Sequence, residues 1–345
     1  MGDLLYISNG GIGDVVMSLP ALAALHRKTT MRIDMVVENG VVRNILMKLP
    51  FIDRVDVCPL WRLRTATGIL HLGIKLRQRR YRIGIYGGAS RCPKSILLMH
   101  IAAPQRVIPT GSFQSWQSYS DQPVHKVDIC FTNLAEVGVE VPKPGTAYPV
   151  FPLGDEIRQH AEKVLKEWGL PGSKKSVALV NGSGNNPYAI GKLWDINKLS
   201  EVALHLNSRN IAAIFFAGPN EMEQAHSLSQ LTGGRIYVAE QMDLQLCAAL
   251  LERCSAAVCN DTGLMHIAWA VGTPVIGLYG PTVPEITGAY GVGHISLRRC
   301  KRPFGCYRGG QKLLAGCTAH SCMNQITAQD VISKLEGILA MDDAQ

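Results

Sequence analysis

The sequence predicts an α/β protein built from two doubly wound, mostly parallel domains. Three observations carry this. Short apolar runs alternate with helix-like segments along the whole chain, the pattern of parallel sheets covered on both faces. At 345 residues the chain is longer than one typical domain. The alternation also restarts after a charged amphipathic segment, 153–172, which ends at Gly169, Pro171 and Gly172. The expected boundaries are 1–165 for the first domain and 166–325 for the second. A closing helix, 326–345, is expected to pack back on the first domain.

The elements follow in order. LLYIS (4–8) reads as a strand, and GIGDVVMSLPALAALHRK (11–28) as a glycine loop feeding a helix, with Pro20 expected to bend or restart it. MRIDMVVE, VDVCPL, RIGIYGG and QRVIP read as further strands. Between them, VVRNILMKLP, TGILHLGIKLRQRR and PKSILLMHIAA read as helices. In the second half the strands are SVALV, IAAIFFAG, GRIYVAE, SAAVCN and TPVIGLYG. The helices are DINKLSEVALHLNSR, NEMEQAHSLSQ, DLQLCAALLERC and GLMHIAWAVG, closed by TAQDVISKLEGILA. Asp195 and Thr327 are candidate helix caps.

Composition narrows the classes. With 47% hydrophobic and 18% charged residues the chain is foldable and shows no sign of disorder. No run of 18 apolar residues is present. The N-terminus lacks the positive region and cleavage pattern of a signal peptide, so a cytoplasmic location is expected. Net charge is +8. Between Arg62 and Arg82 lie seven Lys and Arg and no acid, a patch suited to an anionic saccharide or lipid surface or to a solvated helix end. Nucleic acid is not expected: aromatics are not interleaved with the patch, and no zinc-finger, helix-turn-helix or RNA-binding pattern appears.

The polar residues that interrupt core-like sequence are the candidate site. In NDTGLMHIAWAVGTPVIGLYGPT (260–282), a strand stops at Asp261, and Thr262 and Gly263 open a helix. Free N–H groups and a positive dipole end at such a start suit a phosphate. Thr262 adds a hydroxyl, Gly263 permits close approach, and His266 lies on the same face four residues after Thr262. On these residues alone, an ordinary capped helix start remains open. Asp14 follows Gly10, Gly11 and Gly13 just past the first strand; the order fits neither a dinucleotide fingerprint nor a P-loop.

DTGLMHIAWAVGTPVIGLYGPT resembles the signature of the ADP-heptose:lipopolysaccharide heptosyltransferases, glycosyltransferase family 9. SNGGIGDVVMSLPALAAL, GSGNNPYAIGKLWDINKLSEVALHL and FFAGPNEMEQA are similar to other segments of that family, in the same order along the chain. The resemblance implies a GT-B fold, two Rossmann-like domains facing a central cleft. It also implies an inverting, metal-independent transfer of heptose from ADP-heptose, with no cofactor required. The implied acceptor is Kdo-lipid A or the heptosylated inner core, bound by the N-terminal domain, where a basic run suits carboxylates and phosphates. Peripheral contact with the anionic inner membrane would follow.

Residue by residue, the resemblance implies Asp14 as the base that activates the acceptor hydroxyl and Lys192 as the cation for the leaving diphosphate. Ser183 and Asn186, with Thr262 and Gly263, would supply neutral donors. Glu221 would accept from ribose hydroxyls, Met242 would line the adenine pocket, Asp261 would hold sugar hydroxyls or brace its loop, and His266 would hold the turn or reach the phosphate. Two further readings are a protein hydroxyl as acceptor, as in a subgroup that modifies autotransporters, and non-catalytic nucleotide-sugar binding.

Six of the ten cysteines are scattered beside apolar residues and read as core filler in a reducing compartment. Cys300, Cys306, Cys317 and Cys322 cluster in a Gly-bearing segment with His320 nearby. They are a candidate structural zinc or iron site, or else two buried cysteine pairs or simple core filling, because their spacing matches no zinc-finger pattern closely.

Overall fold

The first strand shows why the chain alternates as it does. Leu4–Ser8 (β1) is buried along its whole length because it lies between two parallel neighbours, Ile33–Val37 (β2) and Ile83–Gly87 (β4). A strand covered on both faces needs a continuous apolar run rather than alternation. In this computed structural model, residues 3–8, 10–58, 66–87, 92–108, 123–170, 175–182, 191–300 and 321–342 are described. They form two compact units, Met1–Pro152 and Leu153–Gln345.

The first unit has five parallel strands in the order β3-β2-β1-β4-β5, where β3 is Ile52–Val57 and β5 is Arg106–Ile108. The helix Ile12–Thr29 (α1) is continuous across Pro20, without a restart. A 3₁₀ turn, Gly40–Val42, leads into Arg43–Leu46 (α2), where a short helix was expected. Ala66–Arg77 (α3) and Pro93–Ala102 (α4) follow β3 and β4. A helix absent from the sequence reading, Lys126–Ala135 (α5), packs against α1. Its signal was present in Val127, Phe131 and Leu134, spaced at i, i+4 and i+7 and all buried.

The second unit has six parallel strands in the order β11-β10-β9-β6-β7-β8. They are Ser176–Val180 (β6), Ala212–Ala217 (β7), Tyr237–Glu240 (β8), Ala256–Asn260 (β9), Val275–Tyr279 (β10) and Ile295–Arg298 (β11). The edge strand β11 was not expected from the sequence. Its helices are Asp155–Glu167 (α6), Ile196–Ser208 (α7), Met222–Leu231 (α8), Leu244–Glu252 (α9), Gly263–Ala270 (α10), Pro284–Thr287 (α11), Ser321–Asn324 (α12) and Ala328–Asp342 (α13). Asp195 caps α7 by accepting from the Asn197 N–H at 2.9 Å. Thr327 and Asp330 cap α13 reciprocally, at 3.1 and 3.0 Å.

Two boundaries differ from the expectation. Helix α6 belongs with the second unit, starting it at 153 rather than 166. It packs against α9 and buries Ala161, Val164 and Leu165, and Arg158 Nε and Nη2 donate to the Glu252 carboxylate of α9 at 2.8 and 2.9 Å. The closing helix was expected to pack back on the first domain. Its apolar stripe, Val331, Leu335 and Leu339, is instead buried in the second unit's core with Leu199, Val202 and Leu206 of α7. Glu336 on α13 also holds His205 of α7 at 2.7 Å.

Candidate active site

Each sheet has one point where the chain reverses its direction of growth, and in open α/β sheets ligands bind beyond the strand ends there. In the first unit it lies between β1 and β4, and in the second between β6 and β9. The candidate residues gather at these two points.

At the end of β1, Gly11 caps α1 and Asp14 sits in its first turn. The Gly11 N–H donates to Asp14 Oδ2 at 3.0 Å. A β-carbon on Gly10 would run into the Asp14 side chain, so glycine is needed there for the carboxylate to turn back over the loop. Asp14 Oδ1 accepts from Lys126 Nζ at 2.5 Å, with both side chains partly exposed. Sequence reasoning missed Lys126, which arrives on the unanticipated helix α5. The ammonium and the helix start both place positive charge beside this carboxylate. Beneath them Tyr6 and Cys130 are enclosed: burial pushes the Tyr6 hydroxyl well up and the Cys130 thiol up to about 12, so neither is a nucleophile at neutral pH.

In the second unit, two fully buried amides assemble the strand-end loops. Asn260, the last residue of β9, accepts from the Gly182 N–H at 3.2 Å. Its amide donates to the carbonyls of Gly182 at 2.7 Å and Lys192 at 2.9 Å. Asn181, just past β6, exchanges hydrogen bonds with the backbone of Trp194 at 2.9 and 3.0 Å. The segment carrying Lys192 is therefore held from both ends over the switch point. The Trp194 indole N–H in turn donates to the Ile326 carbonyl at 3.1 Å.

Lys192 Nζ donates to the Asp261 carbonyl at 3.1 Å and to Asp261 Oδ2 at 3.2 Å. Asp261 is 7% exposed; it also accepts from the Thr287 hydroxyl at 3.3 Å, and His266 Nε2 stands 3.7 Å from Oδ1. Burial by itself would raise the Asp261 carboxyl. The Lys192 ammonium and the His266 ring overcome it and hold the carboxyl well below the usual range. Thr262 is the N-cap of α10, yet its side chain makes no capping bond. Its Oγ1, like His266 Nδ1, is buried with no hydrogen-bond partner among the described residues. An unspent hydroxyl beside the free N–H groups of a helix start is a donor set for an anionic oxygen.

Glu221, buried at the start of α8, lies against the same opening. Its carboxylate is 3.5 Å from where a β-carbon on Gly182 would stand, next to Thr262 Cγ2 at 3.6 Å. Met242 is half-buried in the turn between β8 and α9, farther along the sheet edge. Ser183 and Asn186 lie outside the described residues, as do Cys306, Cys317 and His320. Cys300 is half-buried and Cys322 buried.

Two cations of the basic run between Arg62 and Arg82 are spent on acids. Arg79 lies where the chain returns from α3 to β4, at the edge of the sheet opposite Asp14, and is spent on Asp34 at 2.8 Å and Asp53 at 2.7 Å. Lys75 is spent on Asp56 at 2.7 Å. Arg62 and Arg64 lie outside the described residues.

The family model for glycosyltransferase family 9 (heptosyltransferase) matches residues 98–306. The chain belongs to glycosyltransferase family 9. It is 24% identical to the lipooligosaccharide heptosyltransferase 2 of Haemophilus influenzae, over 98% of this chain and 99% of that one. Its fold matches the crystal structure of a family 9 glycosyl transferase from Veillonella parvula, with a TM-score of 0.82 and 20% identity over 98% of each chain. It also matches the Escherichia coli ADP-heptose lps heptosyltransferase II, with a TM-score of 0.75 and 19% identity over 99% of each. The two parallel-sheet units are those of a GT-B glycosyltransferase. The resemblance of the four motifs and the family of the whole chain agree.

Proposed function

We propose that this family 9 glycosyltransferase transfers heptose from ADP-heptose, with inversion, to a saccharide hydroxyl of the lipopolysaccharide inner core. Kdo-lipid A or its heptosylated form is the acceptor. The observation that carries the reading is the set at the second switch point. A braced ammonium, an unspent threonine hydroxyl, a helix start and a buried carboxylate stand around one glycine-lined opening. The names of the relatives, lipooligosaccharide heptosyltransferase 2 and ADP-heptose lps heptosyltransferase II, favour this donor and acceptor.

In this reading the acceptor oxygen attacks the anomeric carbon from the face opposite the diphosphate. Its proton passes to the Asp14 carboxylate. The bond to the phosphate oxygen breaks, and its electron pair leaves with ADP. The Lys192 ammonium, Thr262 and the N–H groups at Gly263 offset the charge that grows on that oxygen, with Ser183 and Asn186 as further donors. Glu221 accepts from the ribose hydroxyls, and Met242 lines the adenine side. Asp261 Oδ2 accepts from Lys192 and Thr287 and Oδ1 faces His266, so Asp261 orients Lys192 rather than the sugar, and His266 holds Asp261. Lys126 orients Asp14. A carboxylate so paired is a weak base, which suits proton transfer late in a transition state where the hydroxyl has already become acidic. The reading requires no cofactor, because the cation is supplied by the chain. Catalysis on a lipid-borne acceptor would occur at the cytoplasmic face of the inner membrane, by peripheral contact.

The test is transfer from ADP-heptose to Kdo-lipid A and to its heptosylated form, read by mass spectrometry, with Asp14→Asn beside the wild type. Wild-type transfer should fall by roughly 10²–10⁴-fold in the variant, with ADP binding retained. Tight ADP-heptose binding without transfer to either acceptor would overturn the acceptor, and no binding would overturn the donor.

A further inference from the structure

The positive charge of this chain is concentrated in one stretch. From Val57 to Ser120 there is no Asp or Glu, against ten Lys and Arg. The rest of the chain carries 25 Lys and Arg and 27 Asp and Glu. This stretch contains α3 and α4, which pack on each other. Gly73 makes the close approach, since a β-carbon there would run into Ile101.

Both helices follow strands of one parallel sheet and run in the same direction. One turn back from their crossing, Leu70 on α3 and Leu97 on α4 therefore stand at the same level. Both are exposed, at 53% and 47%, as are Ile74 at 49% and Ile96 at 47%. The buried sides of these helices are already satisfied by Ile69, Leu76, Leu98 and Met99. Two adjacent helices thus each place large aliphatic side chains in water. Arg77 continues the stripe of Leu70 and Ile74 at the i+7 position. Arg77, Arg80 and Arg82 are exposed and pair with no acid among the described residues.

We propose that the α3–α4 face, through Leu70, Ile74, Ile96 and Leu97 with Arg77 and Arg80 beside them, docks on an anionic phospholipid bilayer. An aliphatic ridge bordered by cations and without acids is the composition that lies in the headgroup boundary. A second copy of this chain fits the face less well, because a two-fold contact would set the same cations against each other. The inference takes up the membrane contact proposed above and gives it a surface. Vesicles without acceptor test it separately from the transfer reaction.

The experiment is sedimentation of the full chain with phosphatidylcholine vesicles, with and without phosphatidylglycerol. Wild type should bind the anionic vesicles, release as salt is raised, and bind the neutral ones weakly. Leu70→Ser with Ile74→Ser should abolish most of the binding. Arg77→Gln with Arg80→Gln should weaken it by about fivefold per charge removed. All of these side chains are exposed, and ADP binding measured on the same preparations should be unchanged. Equal binding to neutral and anionic vesicles, or wild-type binding by both double variants, would overturn the proposal. So would a wild-type dimer that the serine variant dissolves, which would assign the face to a second copy.

Discussion

The Lys192–Asp261 pair gives the sharpest test of the second-unit site. Replacing Lys192 with Met removes the ammonium 3.2 Å from a carboxylate that is 8% exposed. That leaves a buried charge with Thr287 at 3.3 Å, His266 at 3.7 Å and Thr282 beside it. Breaking a buried pair from one side costs about 3–5 kcal/mol. Here the lower end, about 3 kcal/mol, is expected, because His266 can still offset the charge. Asp261→Asn should cost less, about 1–2 kcal/mol, since the Lys192 side chain is 18% exposed and can reach water. The double variant removes both charges and should lie near the Asp261→Asn value, a coupling of about 3 kcal/mol.

Urea unfolding followed through the second unit's transition measures all three variants. Calorimetry with ADP supplies the functional arm: Lys192→Met should lose about 10–100-fold in affinity, the worth of a charge-assisted hydrogen bond. The pH dependence has a definite sign. Asp261 is held well below its unfolded value of about 3.9, so its stabilisation is complete above about pH 4 and is lost as pH falls further. Additive costs, within about 0.5 kcal/mol, would refute the coupling. Unchanged ADP affinity in Lys192→Met would refute its place on the diphosphate.

Two further outcomes follow from the same unit. Asn260→Ala strips partners from the Gly182 N–H and from the carbonyls of Gly182 and Lys192; it should cost about 3 kcal/mol or more and weaken ADP binding, and a destabilised variant with wild-type ADP affinity would show that the staple serves stability alone. His294 accepts the Val275 N–H at 3.1 Å, and burial lowers its ring to about 4. The neutral form is the folded one, so stability is complete above about pH 6.5 and declines by up to about 3 kcal/mol as pH falls toward 4; His294→Gln should flatten that slope in unfolding curves measured across the window.

The alternation of elements was legible because strands such as SVALV and AAIFFA are buried on both faces and must be apolar throughout. Asp14, Asp261 and Thr262 were legible because polar side chains at strand ends interrupt that pattern. Their partners were not. Lys126 lies 112 positions from Asp14 and Lys192 lies 69 positions from Asp261, and periodicity has no term for distant pairs. Lys192 was found only through the resemblance of its segment. Asn181 and Asn260 were harder still, since the groups they hold are backbone atoms and leave no side-chain signature. Which cations of the basic run are spent was not legible either, because a charge count does not tell which end of a helix meets its acids.

The region matched by the family model ends at residue 306, yet the loop that carries Lys192 is moored beyond it. The Trp194 indole hangs from the Ile326 carbonyl, Lys198 holds the carbonyls of Asn324 and Ile326 at 2.5 and 3.2 Å, and Met323 fills the space above Gly280. Residues 323–326 therefore act as a keystone for a loop more than 100 residues upstream. A fusion placed after the last helix leaves that keystone seated, whereas a deletion reaching Ile326 unseats the tryptophan and, with it, the lysine two residues before it.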